Sequence, residues 1–565
     1  MNIIKIILSL PAIMVYLFAG LILGIVFFQR LPKWDIWERL IAAMIPLSLI
    51  TAGGIILNAV LSMPFWSFNS HRLTPTFSLA YGYPLYQPMD EGPILASIYS
   101  PVSALAYFPA AWLKTPTGGL IVAGILSTSF FFLPILWLHV AGKWHDFKQL
   151  VLSLGAFSCF VLFTVNSEAL NYSAFSIHAD APALGLSAIA CAALYRRQRQ
   201  TSIAPLLISA IFAVLAILTK QLTLPLPIAL LIYLWLANGF KAFRRYLICL
   251  IVVGLGISIP LLAGFNPQLM YLNIITLPSR QPWALELTGQ SNKAVILASA
   301  TKNFPILFFL PLIGVLSYLL WQLSIVSKRS GKVRFWIQSN PWLMLLLVAI
   351  MMSPTATLGR VKIGGDVNNY SFSGYFLTAA FTLILLESAL NLLPLEDNSV
   401  SLSARSKLST LLIFSLIVSF IWGYVISLQW IPKSLSRLPS NAEQVAYEYA
   451  LKHPNQVYFP WYSLAGLMAD QQLYHHPMGM LDRAWGDFEI KDEHFRKHIP
   501  EETKLIAFYQ QNPKNSTMKY LPGYNQRFIH PLAESLESVI LKYLPEFSQP
   551  VTIDELPGWI IYQKP

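Results

Sequence analysis

Charge is what this chain has least of. Only 12% of its 565 residues are charged, while 55% are hydrophobic; a soluble domain carries about a quarter charged residues. That scarcity excludes an ordinary water-soluble fold. Cysteine is rarer still, with Cys159, Cys191 and Cys249 all lying inside apolar runs, so neither a disulfide framework nor a metal-ligand spacing is available. No internal repeat and no low-complexity segment is present, and the duplication common in secondary transporters is therefore missing. Acidic residues are few and uneven, since 15 of the 27 fall beyond residue 428.

What remains is apolar sequence in runs of the ~20 residues that a helix needs to cross a bilayer. Hydropathy places spans near 6–28, 40–62, 117–139, 149–165, 178–195, 203–219, 222–238, 246–263, 303–324, 341–353, 371–392 and 408–428. The first is read as a retained helix, because it is longer than a signal core and lacks a small-residue cleavage pattern. Basic residues test the alternation. Arg30, Lys33, Arg39, Lys143, Lys148, Arg196, Arg197, Arg199, Lys241, Arg244, Arg245, Lys328, Arg329, Lys332, Arg334, Arg405 and Lys407 fall in one set of short loops, and the longer opposite set holds only eight. By the positive-inside rule the loops 63–116, 264–302 and 354–370 face outward, and so does everything after residue 428. The net charge of +12 thus reports topology, and no nucleic-acid partner is expected.

Composition turns polar beyond residue 428. Residues 442–451 and 532–543 read as amphipathic helices, and 456–459, 504–509 and 559–562 as short strands. The expected fold is a polytopic α-helical membrane protein of about 12 transmembrane helices (residues 1–428), followed by a separate small α/β extracytoplasmic domain (429–565). Within the first outer loop, Pro93, Pro101 and Pro109 break any spanning helix. Short helices lying on the membrane surface are expected there, with Tyr99, Tyr107 and Trp112 at headgroup depth.

Outside the C-terminal domain, the acidic residues at the outer face are Asp90, Glu91, Glu168, Asp180, Glu286 and Asp366. Asp90 and Glu91 lie in Tyr81-Gly-Tyr-Pro-Leu-Tyr-Gln-Pro-Met-Asp-Glu-Gly-Pro, a stiff stretch in which Tyr83 and Tyr86 offer flat faces to a sugar ring. A structural turn with a solvated acidic pair is the alternative. The basic residues of the outer loops include Lys220, Arg280, Lys293, Lys302, Arg360 and Lys362, and Lys220 stands between two closely spaced spans where a phosphate headgroup would sit; snorkelling to lipid headgroups is its other reading. Arg360-Val-Lys-Ile-Gly-Gly-Asp-Val-Asn-Asn-Tyr sets two cations, Asp366 and the amides Asn368 and Asn369 before a span, as a sugar-reading loop or a plain turn would. His178 and Asp180 mark a helix start, where Asp180 also suits an N-terminal cap. His475-His476 near Asp482 lacks the spacing of structural metal sites, so no metal is assigned.

These motifs together resemble the GT-C membrane glycosyltransferases, the superfamily of protein O-mannosyltransferases and lipid A aminoarabinose transferases. Gly82-x-x-x-Tyr86, the acidic pair and Tyr99-Ser-Pro101 are similar to the first outer loop of its bacterial members. His178-Ala-Asp-Ala-Pro and Leu218-Thr-Lys-Gln resemble two later elements. The resemblance covers roughly residues 63–238 and implies that the first loop carries the catalytic carboxylate, which falls on Asp90 or Glu91. It also implies that the donor is a polyprenyl-phosphate sugar, with Tyr83, Tyr86, His178, Asp180, Lys220, Arg280, Arg360, Lys362, Asp366, Asn368 and Asn369 as candidate substrate contacts. The acceptor would be a glycan, lipid or protein on the outer face of the cytoplasmic membrane. A lipid-linked sugar flippase is the rival reading, and whether a divalent metal takes part is left open.

Overall fold

The computed structural model describes residues 10–30, 36–95, 97–141, 146–195, 202–283, 291–294, 296, 333–362, 365, 367–391, 441–509 and 536–565. Its membrane part comprises α1 (Leu10–Arg30), α2 (Ile36–Leu61), α3 (Ser67–Ala80), α4 (Pro116–Val140), α5 (Phe147–Asn166), α6 (Asp180–Tyr195), α7 (Ala204–Thr219), α8 (Pro225–Asn238), α9 (Phe240–Gly264), α10 (Trp342–Val361) and α11 (Ser371–Asn391). Six helices among the described residues are long and apolar enough to cross a membrane, and α6 and α7 are shorter apolar helices. The expected spans at 303–324 and 408–428 lie outside the described residues; each of the others coincides with a helix.

Local chemistry sets several boundaries. Thr115 caps α4 by accepting from the Gly118 amide, with Pro116 in the first turn, where its missing N–H costs nothing. Pro354 does not end α10, which runs to Val361; the outer loop expected from residue 354 therefore begins about two turns later. Between α7 and α8 the chain extends at Lys220 and makes one 3-10 turn over Gln221–Thr223.

The bundle packs on aromatic rings. Phe131, Phe160 and Tyr375 are fully buried together, with ring centroids 4.8 Å apart for Phe131–Tyr375 and 5.5 Å for Phe160–Tyr375. The Tyr375 hydroxyl donates to the Phe131 carbonyl at 2.8 Å, so the ring's polar end is satisfied. By contrast α9 leaves Ile248, Ile251, Val252, Leu255, Ile259 and Leu262 exposed, the surface a lipid-facing helix presents.

Beyond residue 440 the chain forms helices α12 (Ala442–Lys452), α13 (Ser463–Asp470) and α14 (Pro477–Trp485), and strands β1 (Val457–Tyr458), β2 (Leu505–Tyr509), β3 (Gln549–Val551) and β4 (Trp559–Gln563). The strands form one sheet in the order β1-β2-β4-β3, parallel between β1 and β2 and antiparallel elsewhere. This unit does not stand apart. Leu464, Leu467, Met468 and Leu473 share one apolar core with Met63, Leu73, Phe77, Tyr107 and Leu120.

The first outer loop also departs from expectation. Residues 67–80 form helix α3, and Tyr107 lies buried against it. Its hydroxyl donates to the His178 carbonyl at 2.7 Å. Trp112 is largely exposed, as a headgroup-level ring would be.

Candidate functional site

The start of α6, the end of α7 and the turn before α11 bring four expected residues together. Asp180, the first residue of α6, is fully buried and pairs with Lys220 Nζ. Its second oxygen accepts from Asn368 Nδ2 at 2.6 Å and from Ser173 Oγ at 3.3 Å, and stands 3.0 Å from His178 Nδ1. The carboxylate is thus neutralised and hydrogen-bonded, the condition for burying one. It ties three helix ends together instead of capping its own helix. Lys220 can reach it because the chain extends between two helices there, and its ammonium also stands over the Tyr99 and Phe372 rings at 5.6 and 5.1 Å.

Beside this knot opens a narrow pocket lined by Arg72, Leu85, Ser97, Tyr99, Tyr107 and His178 among others. His178 Nε2 meets the Tyr99 hydroxyl at 3.0 Å. Arg72 comes from α3. Its guanidinium lies over the Phe68 ring at 4.8 Å and the Tyr99 ring at 5.6 Å, and its buried Nε and Nη1 have no hydrogen-bond partner. A buried guanidinium with undirected N–H groups on a pocket wall is set for an anionic oxygen.

The remaining candidates lie elsewhere. Asp90 and Glu91 are exposed, and Lys491 is 4.0 Å from Asp90. The backbone around them is fastened to the C-terminal unit: Arg483 Nη1 donates to the Met89 carbonyl at 2.7 Å, the Ile94 amide to His475 Nδ1 at 3.0 Å and the His476 amide to the Ile94 carbonyl at 2.7 Å. Tyr83 donates to the Gln471 carbonyl at 2.7 Å, and Tyr86 is buried and donates to the Tyr99 carbonyl at 2.6 Å; both hold the loop rather than line the pocket. Lys362 Nζ donates to the carbonyls of Ser279 and Gln281 at 2.6 and 3.0 Å, Arg360 Nη1 donates to the Gly365 carbonyl at 3.3 Å, and the Arg280 guanidinium lies 4.6 Å over Phe488. Asn369 is buried against Gly359. Asp366 and Lys302 lie outside the described residues.

Where the C-terminal unit covers the outer loop, several ionisable groups are buried. Asp482 accepts from Gln281 Nε2 at 3.1 Å, and burial raises its carboxyl to about 6 despite the nearby Arg72 charge. Burial lowers His476 to about 3 and His71 well below the usual imidazole range, so both rings are neutral at pH 7. Among the described residues no group of three or more His, Cys, Asp or Glu side chains could hold a metal ion.

No protein-family model matches this sequence, and no curated protein matches it. Solved structures do. ArnT from Cupriavidus metallidurans bound to undecaprenyl phosphate superposes with a TM-score of 0.53 at 12% identity, over 91% of this chain and 98% of that one. Its apo state matches with 0.53 at 13%, over 91% and 97%. The chain has the fold of ArnT. An archaeal oligosaccharyltransferase from Archaeoglobus fulgidus gives 0.44 at 11% identity, covering 84% of this chain and 71% of that one. The likeness in fold to ArnT covers nearly the whole chain, where the resemblance in sequence covered residues 63–238.

Arg72 is the residue that the sequence reading passed over. The available signal was its spacing from Phe68, since residues i and i+4 of a helix share a face and a cation there meets a ring.

Proposed function

We propose that this chain is a glycosyltransferase of the cytoplasmic membrane that moves a sugar from a polyprenyl-phosphate donor to an acceptor hydroxyl on the outer face, inverting the anomeric carbon. The observation that carries the reading is Arg72, a buried cation with unpartnered N–H groups on the wall of a pocket at the outer helix ends. The ArnT structure with undecaprenyl phosphate, on the same fold, supports a donor of that class.

The chemistry follows from the residues. As the acceptor oxygen bonds to the anomeric carbon, the carbon–oxygen bond to phosphate breaks and the phosphate leaves as an anion, so no acid is needed. Arg72 takes up that negative charge in a site poor in water, where such stabilisation is strongest. The acceptor proton needs a base. His178 is held for it, with Nε2 turned toward the Tyr99 hydroxyl and Nδ1 against Asp180. Asp90 and Glu91 are the rival bases, and they would have to swing in from solvent.

Sugar transfer by purified protein from a panel of labelled polyprenyl-phosphate sugars tests this. Arg72→Gln is expected to lower turnover ~100-fold, the usual cost of removing one such donor. His178→Gln should lower it comparably with folding intact. Loss in Asp90→Asn or Glu91→Gln, with His178→Gln active, would move the base to the first loop. No transfer from any donor would favour the flippase.

A further inference from the structure

The C-terminal unit lays helix α13 against α3, with the start of α14 beside it at His476, and the polar groups at that seam are incompletely paired. On α3, Arg72 Nε and Nη1 and His71 Nε2 are buried without a hydrogen-bond partner; on the α14 side so are Asp482 Oδ2 and both His476 nitrogens. The His71 and His476 rings lie 5.7 Å apart, and Trp461 lies 5.4 Å from His71. Arg72 is near enough to Asp482 to act on its carboxyl, yet the two make no direct ion pair. Gln281 from the loop 264–302 holds only Asp482 Oδ1, which leaves Oδ2 directed elsewhere.

Buried polar atoms in native proteins are nearly always satisfied, and an unsatisfied set at one seam marks a place where a polar partner binds. The inventory restricts what that ligand is. Arg72 only donates, ionised Asp482 only accepts, and each neutral imidazole offers one of each. A phosphate accepts without donating and would be repelled by Asp482. An acyl chain does neither. Vicinal hydroxyls do both at the spacing of a sugar ring, whose apolar face also suits an aromatic neighbour.

We propose that Arg72 and Asp482 face each other across a binding site for a sugar ring, roofed by the C-terminal unit, with Asp482 Oδ2 accepting from a ring hydroxyl. This deepens the glycosyltransferase reading and rests on it for the reaction, though not for the binding. Arg72 borders both the pocket and the seam, so a ring held here adjoins the reacting phosphate. The sugar belongs either to the donor or to a glycan acceptor.

Saturation-transfer NMR on the full-length protein in detergent, with a panel of methyl glycosides as probes, tests the site directly. The expected result is binding of at least one glycoside to the wild type and at least a tenfold weakening in Asp482→Ala, with the exposed Asp554→Asn unchanged. Asp482→Asn is near isosteric and serves if the alanine variant does not fold; it too should weaken binding. No binding by the wild type, or equal binding by the Asp482 variants, overturns the proposal. Repeating the titration with a polyprenyl-phosphate sugar present separates the sources: competition marks the donor's sugar, and simultaneous binding marks the acceptor. Undecaprenyl phosphate binding, measured separately, judges the donor reading without touching Asp482.

Discussion

At the scale of single residues, the protein's most consequential groups are buried ones whose charge the fold controls. Glu443 on α12 is an example away from the pocket. It is buried, its Oε1 accepts from the Ala465 amide at 2.8 Å, and desolvation raises its carboxyl to about 8. The folded state therefore keeps a proton that the unfolded chain releases near pH 4.5, and stability is greatest below that pH and falls as pH rises toward 8. Glu443→Gln should flatten this dependence and raise the melting temperature at pH 8, a gain on the order of a few kcal/mol; differential scanning fluorimetry at pH 5 and pH 8 checks it. Residue identities were legible unevenly. His178, Asp180, Lys220 and Asn368 could be picked out singly as polar groups at span ends, but their meeting around one carboxylate depends on three helices converging, which no sequence spacing encodes. Tyr83, Tyr86 and Lys362 looked like ligand contacts because aromatic rings and cations serve ligands and backbone carbonyls alike; only the fold shows which they serve.

At the scale of elements, the spans were readable because hydrophobic length is a strong, local signal. Helix α3 was not. Its sequence Ser67–Ala80 holds Asn69, Ser70, His71, Thr74, Thr76 and Ser78, all buried, together with Pro75, and such a stretch has neither apolar length nor a polar face. Its polar side chains bond to other elements instead: Asn69 Nδ2 donates to the Met63 carbonyl at 3.1 Å, Thr76 Oγ1 to the Ala104 carbonyl at 2.9 Å, and Thr74 Oγ1 meets Ser463 Oγ at 3.0 Å. Where helices cross closely, small residues are required. A Cβ added at Gly185 of α6 would come 2.3 Å from the Phe130 carbonyl oxygen on α4, and backbone cannot yield as a side chain does. Gly185→Ala should therefore push α6 away from α4, cost ~1–3 kcal/mol and weaken donor binding by shifting Asp180; the monodisperse fraction in detergent and undecaprenyl phosphate affinity measure the two effects.

At the scale of the whole molecule, the membrane bundle and the C-terminal unit behave as one body around the outer loop. The strands β1, β2 and β4 were recognisable from their residues, β3 was not, and the shared core between the two parts had no signature because Leu464 and Leu467 read as an ordinary interior. Leu467→Asp places a charge in that shared core and should undock the unit, at ~3 kcal/mol or more. Limited proteolysis should then release it while the helices stay in the bilayer, and glycoside binding should be lost together with it.

The clasp between these parts sets an order of manufacture. Arg483 grips Met89 across 394 positions of chain, and His475 and His494 grip Ile94 and Gly92 across 381 and 402. A nascent chain has threaded nearly all of its helices into the bilayer before any of these partners has emerged from the ribosome. The loop consequently waits uncovered through most of synthesis, until residues 475–494 have been made. A translation product cut short before α14 should insert normally and yet stay inert, which makes synthesis of residues 475–494 the step that switches the protein on.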